Sequence, residues 1–482
     1  MTTLTSRSAR VWAWIFFAVL IGTLLIVVLA PVVQDPEVRG VYPAVGFAAL
    51  IVVAAAIAVI WAIRPVRIRV AGWTAWLAAV VTIALTLGPI ALWYAGRDGL
   101  GYQVFQAIGI GTSPYGFGDM VVVLSWLDCP RAGIDAYGPE VLTCAVAPAN
   151  YGPAVFWLSG TGLSTAAAPL LGVVGVLASS LAIAWLARLS RGLGRLTLLL
   201  VSASSAWILL LERANLDAAI VWAAVLLVWL VRRYQGLWPW IAAAVPIWIL
   251  GAWKYYPFAM VLAMVPVLRI KRGWMVIAGF VALAVAYLVI WRENVLLSLE
   301  SNANLSDGTF GGFGRDIAAA FVTGEAQSST SWQWGDFVIA GLMIVGFAWG
   351  WAVVGASRVH RNRSGLRAVP LTGEAMLAMS GATAVLVAVG WSGFGYNYKA
   401  ALLFLGVPLL ARLADRPDAQ AFHVGLFMLV LVVISAFVLS NVLLSSLAVL
   451  ISAACIAGAA LRPLTAWLRI RSEAPELIPA AR

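Results

Sequence analysis

Three short polar stretches interrupt an otherwise apolar chain, and each carries charge where charge is hard to keep. Glu212-Arg213-Ala214-Asn215-Leu216-Asp217 joins two apolar runs, Leu196–Leu211 and Ala218–Val231. Runs of about 14 to 16 residues barely cross the hydrocarbon of a bilayer. Their junction is therefore expected to be sunk, with its polar side chains facing protein or a water-filled cavity. The alternative is a mutual Glu212–Arg213–Asp217 cluster that only ties two helices together. Trp253-Lys254-Tyr255-Tyr256-Pro257 also joins short runs, and Lys254 has no carboxylate beside it in sequence. It needs a distant carboxylate or an anionic ligand, unless it snorkels among its aromatic neighbours. Gly393-Phe394-Gly395-Tyr396-Asn397-Tyr398-Lys399, ahead of the short run Ala400–Leu410, poses the same choice. Asp119 follows Tyr115-Gly116-Phe117-Gly118 and begins an amphipathic stretch, Met120–Leu127. A carboxylate at the start of a helix lying on a membrane can deprotonate a hydroxyl, or it can simply cap the helix.

The elements that must hold these residues are membrane spans. Hydrophobic residues make up 63% of the chain and charged residues 11%, where a soluble domain carries roughly 25% charge. Apolar runs fall near 11–30, 42–62, 72–95, 164–187, 196–212, 216–231, 237–252, 256–268, 274–291, 337–357, 371–392, 400–413, 421–440 and 442–461. They predict an all-α polytopic membrane protein with about 14 transmembrane helices, the first a retained helix and not a cleaved signal. With the N-terminus assigned to the cytoplasm, 23 of the 31 Lys and Arg residues fall inside and 8 outside, as the positive-inside rule requires. Both termini are then cytoplasmic, and all three polar stretches and Asp119 lie outside.

This organisation divides the chain into N-terminal helices (1–96), a first large outer loop (97–160), a core with short helix pairs (161–291), a second outer loop (292–336), and C-terminal helices with a short cytoplasmic tail (337–482). Loops of that length are usually functional or disordered, and their mix of aromatic and polar residues argues for order. Cys129 and Cys144 both fall in the first loop, where an oxidising exterior favours a disulfide over two free thiols. Cys455 sits in an apolar run and reads as core packing.

Other chemistries find little to stand on. The only histidines, His360 and His423, fall on the cytoplasmic side, away from the polar stretches. There is no Walker-type loop, no GxGxxG after a strand and no CxxC. The net charge of +11 is spread over short loops with no patch, so no nucleic-acid partner is expected.

In order along residues 119–410 the chain resembles the GT-C class of membrane glycosyltransferases, and most closely the polyprenol-phosphate-mannose-dependent proteins of glycosyltransferase family 87. The likeness is carried by Gly118-Asp119, Asp128-Cys129, Gly133-Ile134-Asp135-Ala136-Tyr137, Cys144, Asn150-Tyr151-Gly152-Pro153, the two stretches beginning at Glu212 and Trp253, and Asn397-Tyr398-Lys399. The resemblance implies a GT-C-like bundle with its site on the outer face of a bacterial cytoplasmic membrane. It implies Asp119 as general base on an acceptor hydroxyl, and Lys254, Lys399 and Arg213 as holders of the donor phosphate. Glu212, Asn215, Asp217, Tyr256, Tyr396 and Asn397 are then sugar- or acceptor-binding. The donor would be a polyprenyl-phosphate sugar, mannose favoured, the acceptor a glycolipid or glycan, with no cofactor and no divalent metal. The chain departs from the family pattern in having two apolar runs before the one that leads into the loop. It also has Ala214 where Gly is expected, Gly152 where a second Pro is expected, and no paired acid beside Asp119.

Two other readings are open at this level. A transporter or flippase for an envelope lipid or glycan binds near the bilayer midplane and is often built from repeats; here no repeat is visible, and charges avoid helix centres except Glu374 near one end of its run. A non-catalytic member of an envelope assembly complex would keep the fold and lose the chemistry.

Overall fold

The computed structural model describes residues 71–107, 116–190, 192–304, 341–352, 354, 372–392, 397–414 and 442–469. The runs expected at 11–30, 42–62 and 421–440, and the second loop beyond residue 304, lie outside these. Among the described residues the chain is all-helical and has no strand. Two helices, Thr74–Tyr94 and Thr165–Leu189, are long and apolar enough to cross a membrane, or up to four if each of two bent pairs is one span. Among the described residues that is the coarser form of the expectation: membrane-length helices in an all-helical fold.

In chain order the helices used below are α1 (Thr74–Tyr94), α2 (Gly118–Trp126), α3 (Ala168–Leu189), α4 (Leu193–Ser202), α5 (Ser205–Glu212), α6 (Asp217–Arg233), α7 (Trp238–Lys254), α8 (Trp274–Ile290), α9 (Arg292–Asn304), α10 (Thr372–Ser392), α11 (Val407–Ala414) and α12 (Val442–Arg469). The run expected to be one helix at 196–212 is broken by 48°. Ser204 causes the break: its backbone is extended, and its hydroxyl accepts the Trp207 N–H and so caps α5 as a new helix. At the far end of α8 the chain bends by 80° into α9.

Two of the short apolar runs are wound more tightly than an α-helix. Tyr256–Arg269 is a 3-10 helix of 14 residues, and Asn397–Gly406 is one of 10 residues that continues into α11. At about 2.0 Å per residue the first rises about 28 Å, where an α-helix of that length would rise about 21 Å. A short run wound this way is longer than its residue count as an α-helix suggests. The thinner helices also pack closely: a Cβ on Gly381 of α10 would collide with the Leu402 carbonyl oxygen.

A loop layer, residues 118–167, covers one end of the bundle. It consists of α2, a helical turn at Asp128–Arg131, and 3-10 turns at Pro139–Thr143 and Pro153–Thr161. Cys129 and Cys144 are joined by a disulfide. Arg131 pairs with Asp128 at 2.8 Å and donates to the carbonyls of Ser159 (2.8 Å) and Leu163 (2.6 Å), closing the layer on itself. Its small core holds Val123, Trp126, Cys129, Val141, Tyr151 and Val155. The expectation of α2 as a helix laid on the membrane gives way to a helix packed inside protein, since Val123, Leu124, Trp126 and Leu127 are all buried.

Candidate functional site

Two left-handed residues dock the loop layer onto the bundle. Ala214 (φ 48°) turns the chain between α5 and α6, and Phe117 (φ 63°) turns it into α2. The exposed backbone of each turn satisfies the other. Phe117 N–H donates to the Glu212 carbonyl at 2.9 Å, and the N–H groups of Asp119 and Met120 donate to the Arg213 carbonyl at 3.1 and 3.2 Å. The Phe117 ring lies directly on Gly172 of α3, where any Cβ would collide with it. In this way Asp119 is held beside residues 94 and 96 positions further along the chain.

A connected row of charges follows. The Asp119 carboxylate is 3.4 Å from the Arg213 guanidinium, and its other oxygen accepts from Asn215 Nδ2 at 2.5 Å. Asn215 Oδ1 accepts from the Asp217 N–H at 2.9 Å, an Asx turn that starts α6, and from Lys254 Nζ at 2.7 Å. The amide is therefore oriented with its N–H toward Asp119. Lys254 Nζ also lies 2.5 Å from Asp217 Oδ1, which takes a further hydrogen bond from the Tyr256 hydroxyl. Asp217 is fully buried. Its charge is tolerable there because it is paired and because it sits at the positive end of α6.

Each lysine also faces a tyrosine ring. Lys254 Nζ is 4.5 Å from the Tyr151 ring centroid and Lys399 Nζ is 5.6 Å from that of Tyr256. The left-handed Tyr255 (φ 60°) makes the sharp turn that lets Lys254 and Tyr256 both address Asp217. Burial first, then the negative charges of Asp217 and Asp119, pushes the Tyr151 phenol well above its ordinary value, so this ring stays neutral.

Several alternatives are decided by this geometry. Arg213 pairs with Asp119 and Asp217 with Lys254, so the Glu212 stretch reaches partners outside itself. Lys254 finds its distant carboxylate in Asp217. Asp119 does not cap α2: the cap position is Phe117, with no side-chain cap bond. Asn215 and Tyr256, expected to contact a sugar, are 4% and 7% exposed and hold the charges in place. Glu212 is 1% exposed, with its Oε2 buried and without a hydrogen-bond partner, and Arg213 and Asp119 are the charges acting on it. Asp119, at 23% side-chain exposure, is the most accessible acid of the row. Asn397 opens its 3-10 helix; Tyr396 and the Asn397 side chain lie outside the described residues. Among the described residues no three His, Cys, Asp or Glu side chains gather where they could hold a metal ion.

Three residues that sequence reasoning gave no role belong to this site. Tyr151 supplies a ring face to Lys254. Gly152 donates its N–H to the Trp253 carbonyl at 2.7 Å, and a Cβ there would collide with the Ala252 carbonyl oxygen. A proline at 152 would lack both the donor and the space. Tyr287 of α8 donates to the Ala252 carbonyl (2.7 Å) and accepts from Ala154 N–H (3.2 Å). The signal available was Tyr-Gly-Pro in a loop, an aromatic beside a residue without a side chain. Comparison with known proteins finds no matching family model, no matching curated protein and no matching solved structure.

Proposed function

We propose that the protein is a membrane glycosyltransferase of GT-C type, moving a sugar, mannose favoured, from a polyprenyl-phosphate donor to a lipid or glycan acceptor on the outer face of a bacterial cytoplasmic membrane. The observation that carries this reading is the single row Arg213–Asp119–Asn215–Lys254–Asp217–Tyr256, assembled from three separated chain segments at one end of the bundle. It offers an accessible carboxylate at one end and Lys254 toward the other, where Lys399 from a fourth segment lies over the Tyr256 ring.

In the proposed reaction the acceptor oxygen attacks the anomeric carbon as the bond from that carbon to the phosphate oxygen breaks. The acceptor proton passes to Asp119, and the phosphate leaves with one more negative charge. Asp119 is oriented for this by Arg213 and Asn215, a base held by further groups. Lys254 and Lys399 balance the growing charge of the leaving phosphate, where fixed cations in a water-poor site act most strongly. Lys254 exchanges Asp217 for a phosphate oxygen to do so.

The test is ligand-dependent thermal stability in nanodiscs, using polyprenyl-phosphate mannose, its glucose and pentose analogues, polyprenyl phosphate, and nucleotide sugars. A ligand bound only by the folded state raises stability by RT ln(1 + [L]/Kd). A shift is expected with one polyprenyl-phosphate sugar and not with nucleotide sugars. It should vanish in Lys254→Ala and in Lys254→Ala with Asp217→Asn, the second keeping the buried charge balanced. No shift with any lipid phosphate would sink the reading.

A further inference from the structure

The two lysines are seated differently. Tyr256 is a chain neighbour of Lys254 and is tied to the row by its own hydroxyl on Asp217. Tyr151 comes from the loop layer and meets Lys254 through its ring face. Everything around Tyr151 fixes that face. Its carbonyl accepts from the Tyr137 hydroxyl at 2.6 Å. Its ring meets the Trp126 ring edge-on, with centroids 5.2 Å apart. The next residue, Gly152, is bonded to the Trp253 carbonyl, the peptide that leads into Lys254. The ring is 8% exposed and neutral.

An ammonium has three donors, and Lys254 directs hydrogen bonds to Asn215 and Asp217. An aromatic face attracts the ion without consuming a directed hydrogen bond. It therefore keeps the ammonium in place while its hydrogen-bond partners change. We propose that Tyr151 is a positioning residue for Lys254: its ring face retains the ammonium while Lys254 trades Asp217 for the phosphate of a lipid-linked ligand. Affinity for that phosphate is then set partly by the loop layer, whose core around Tyr151 is closed by the Cys129–Cys144 bridge. The identity of the ligand rests on the glycosyl-transfer reading above; the seat itself does not.

The experiment measures binding of undecaprenyl monophosphate to the full chain in nanodiscs, for wild type, Tyr151→Phe, Tyr151→Leu and Trp126→Leu, together with donor KM and kcat. Tyr151→Phe keeps the ring and is expected to bind as wild type. Tyr151→Leu is expected to bind roughly 3- to 30-fold more weakly, the range of a desolvated cation–ring contact, with donor KM raised in proportion and kcat little changed. Trp126→Leu loosens the same core without removing the face, and should weaken binding less. Tyr151→Leu binding as wild type would overturn the proposal, as would Tyr151→Phe failing as badly as Tyr151→Leu, or Trp126→Leu matching Tyr151→Leu. Wild type binding no polyprenyl phosphate at all would refute the functional reading and the ligand named here. Binding to wild type that Tyr151→Leu leaves intact refutes the role of Tyr151 alone.

Discussion

Helix α6 carries a charged cluster at each end, about 22 Å apart along its axis, and the two are built on different plans. At the Arg232 end a single acid, Glu374, is 1% exposed and is shared by Arg232 (3.0 Å) and Arg412 (3.4 Å). Gly373 lies against the Arg232 guanidinium, with no room for a Cβ. Three helices, α6, α10 and α11, are tied at one point. At the Asp217 end acids and cations alternate, tyrosine faces line them, and the loop layer contributes Asp119 and Tyr151. One acid between two arginines has nothing to exchange and acts as a staple. An alternating row can pass an ion from one partner to another, which is what a reaction with moving charge needs.

The sharpest way to break this contrast is to strike each end separately. Asp119→Asn should lower sugar transfer by roughly 10²- to 10⁴-fold with little change in melting temperature, whereas Glu374→Gln should leave kcat near wild type. Undiminished transfer in Asp119→Asn would remove the base from the scheme. Glu374→Ala leaves Arg232 and Arg412, each about a third exposed, without their shared carboxylate, and should destabilise the protein by about 1–3 kcal/mol; denaturant unfolding in detergent checks this. The fraction that remains folded should bind lipid phosphate normally, and impaired binding there would show that the two ends are not independent.

A double Cys129→Ser, Cys144→Ser variant opens a loop of sequence separation 15 and should cost about 3 kcal/mol on the chain-entropy account. Hydrogen exchange should speed up in residues 118–167 and stay unchanged in 372–392. The smallest effect is expected from Ala214→Gly. Left-handed backbone disfavours a side chain by about 1–2 kcal/mol, partly offset by glycine's freedom in the unfolded chain, so a gain of about 0.5–1 kcal/mol should appear as a slightly higher melting temperature. A loss would mean that the Ala214 methyl packs against something the turn needs.

Much of this was legible in the residues and some was not. The polar stretches stood out because charges in an apolar chain must find partners, and Asn215, Asp217 and Lys254 do meet, with Arg213 joined to them through Asp119. Which partner each takes depends on how α2 is docked, and that rests on two left-handed turns at Phe117 and Ala214 that no apolar pattern reveals. Ala214 stands at positive φ, where glycine is the less strained residue. Gly152 departs from the proline that the resemblance implies for relatives, and it stands where the Ala252 carbonyl oxygen leaves no room for a Cβ. Helix winding was equally hidden: an apolar run reads alike whether it is wound as α or 3-10, and the break at Ser204 depends on one local hydrogen bond.

The tight winding of Tyr256–Arg269 has a mechanical side. Relative to an α-helix, each of its 14 residues contributes about 0.5 Å of extra rise, so the segment holds about 7 Å of extension. Tyr256, the ring beneath Lys399 and the donor to Asp217, is the head of this extended rod. Relaxing toward α winding would draw that head along the helix axis and strip the hydroxyl from Asp217. On the proposed membrane location, a mismatch between such a segment and the hydrocarbon around it would be relieved by tilting, kinking or local change in bilayer thickness. On that proposal, the position of the charged row would follow the depth of the surrounding lipid.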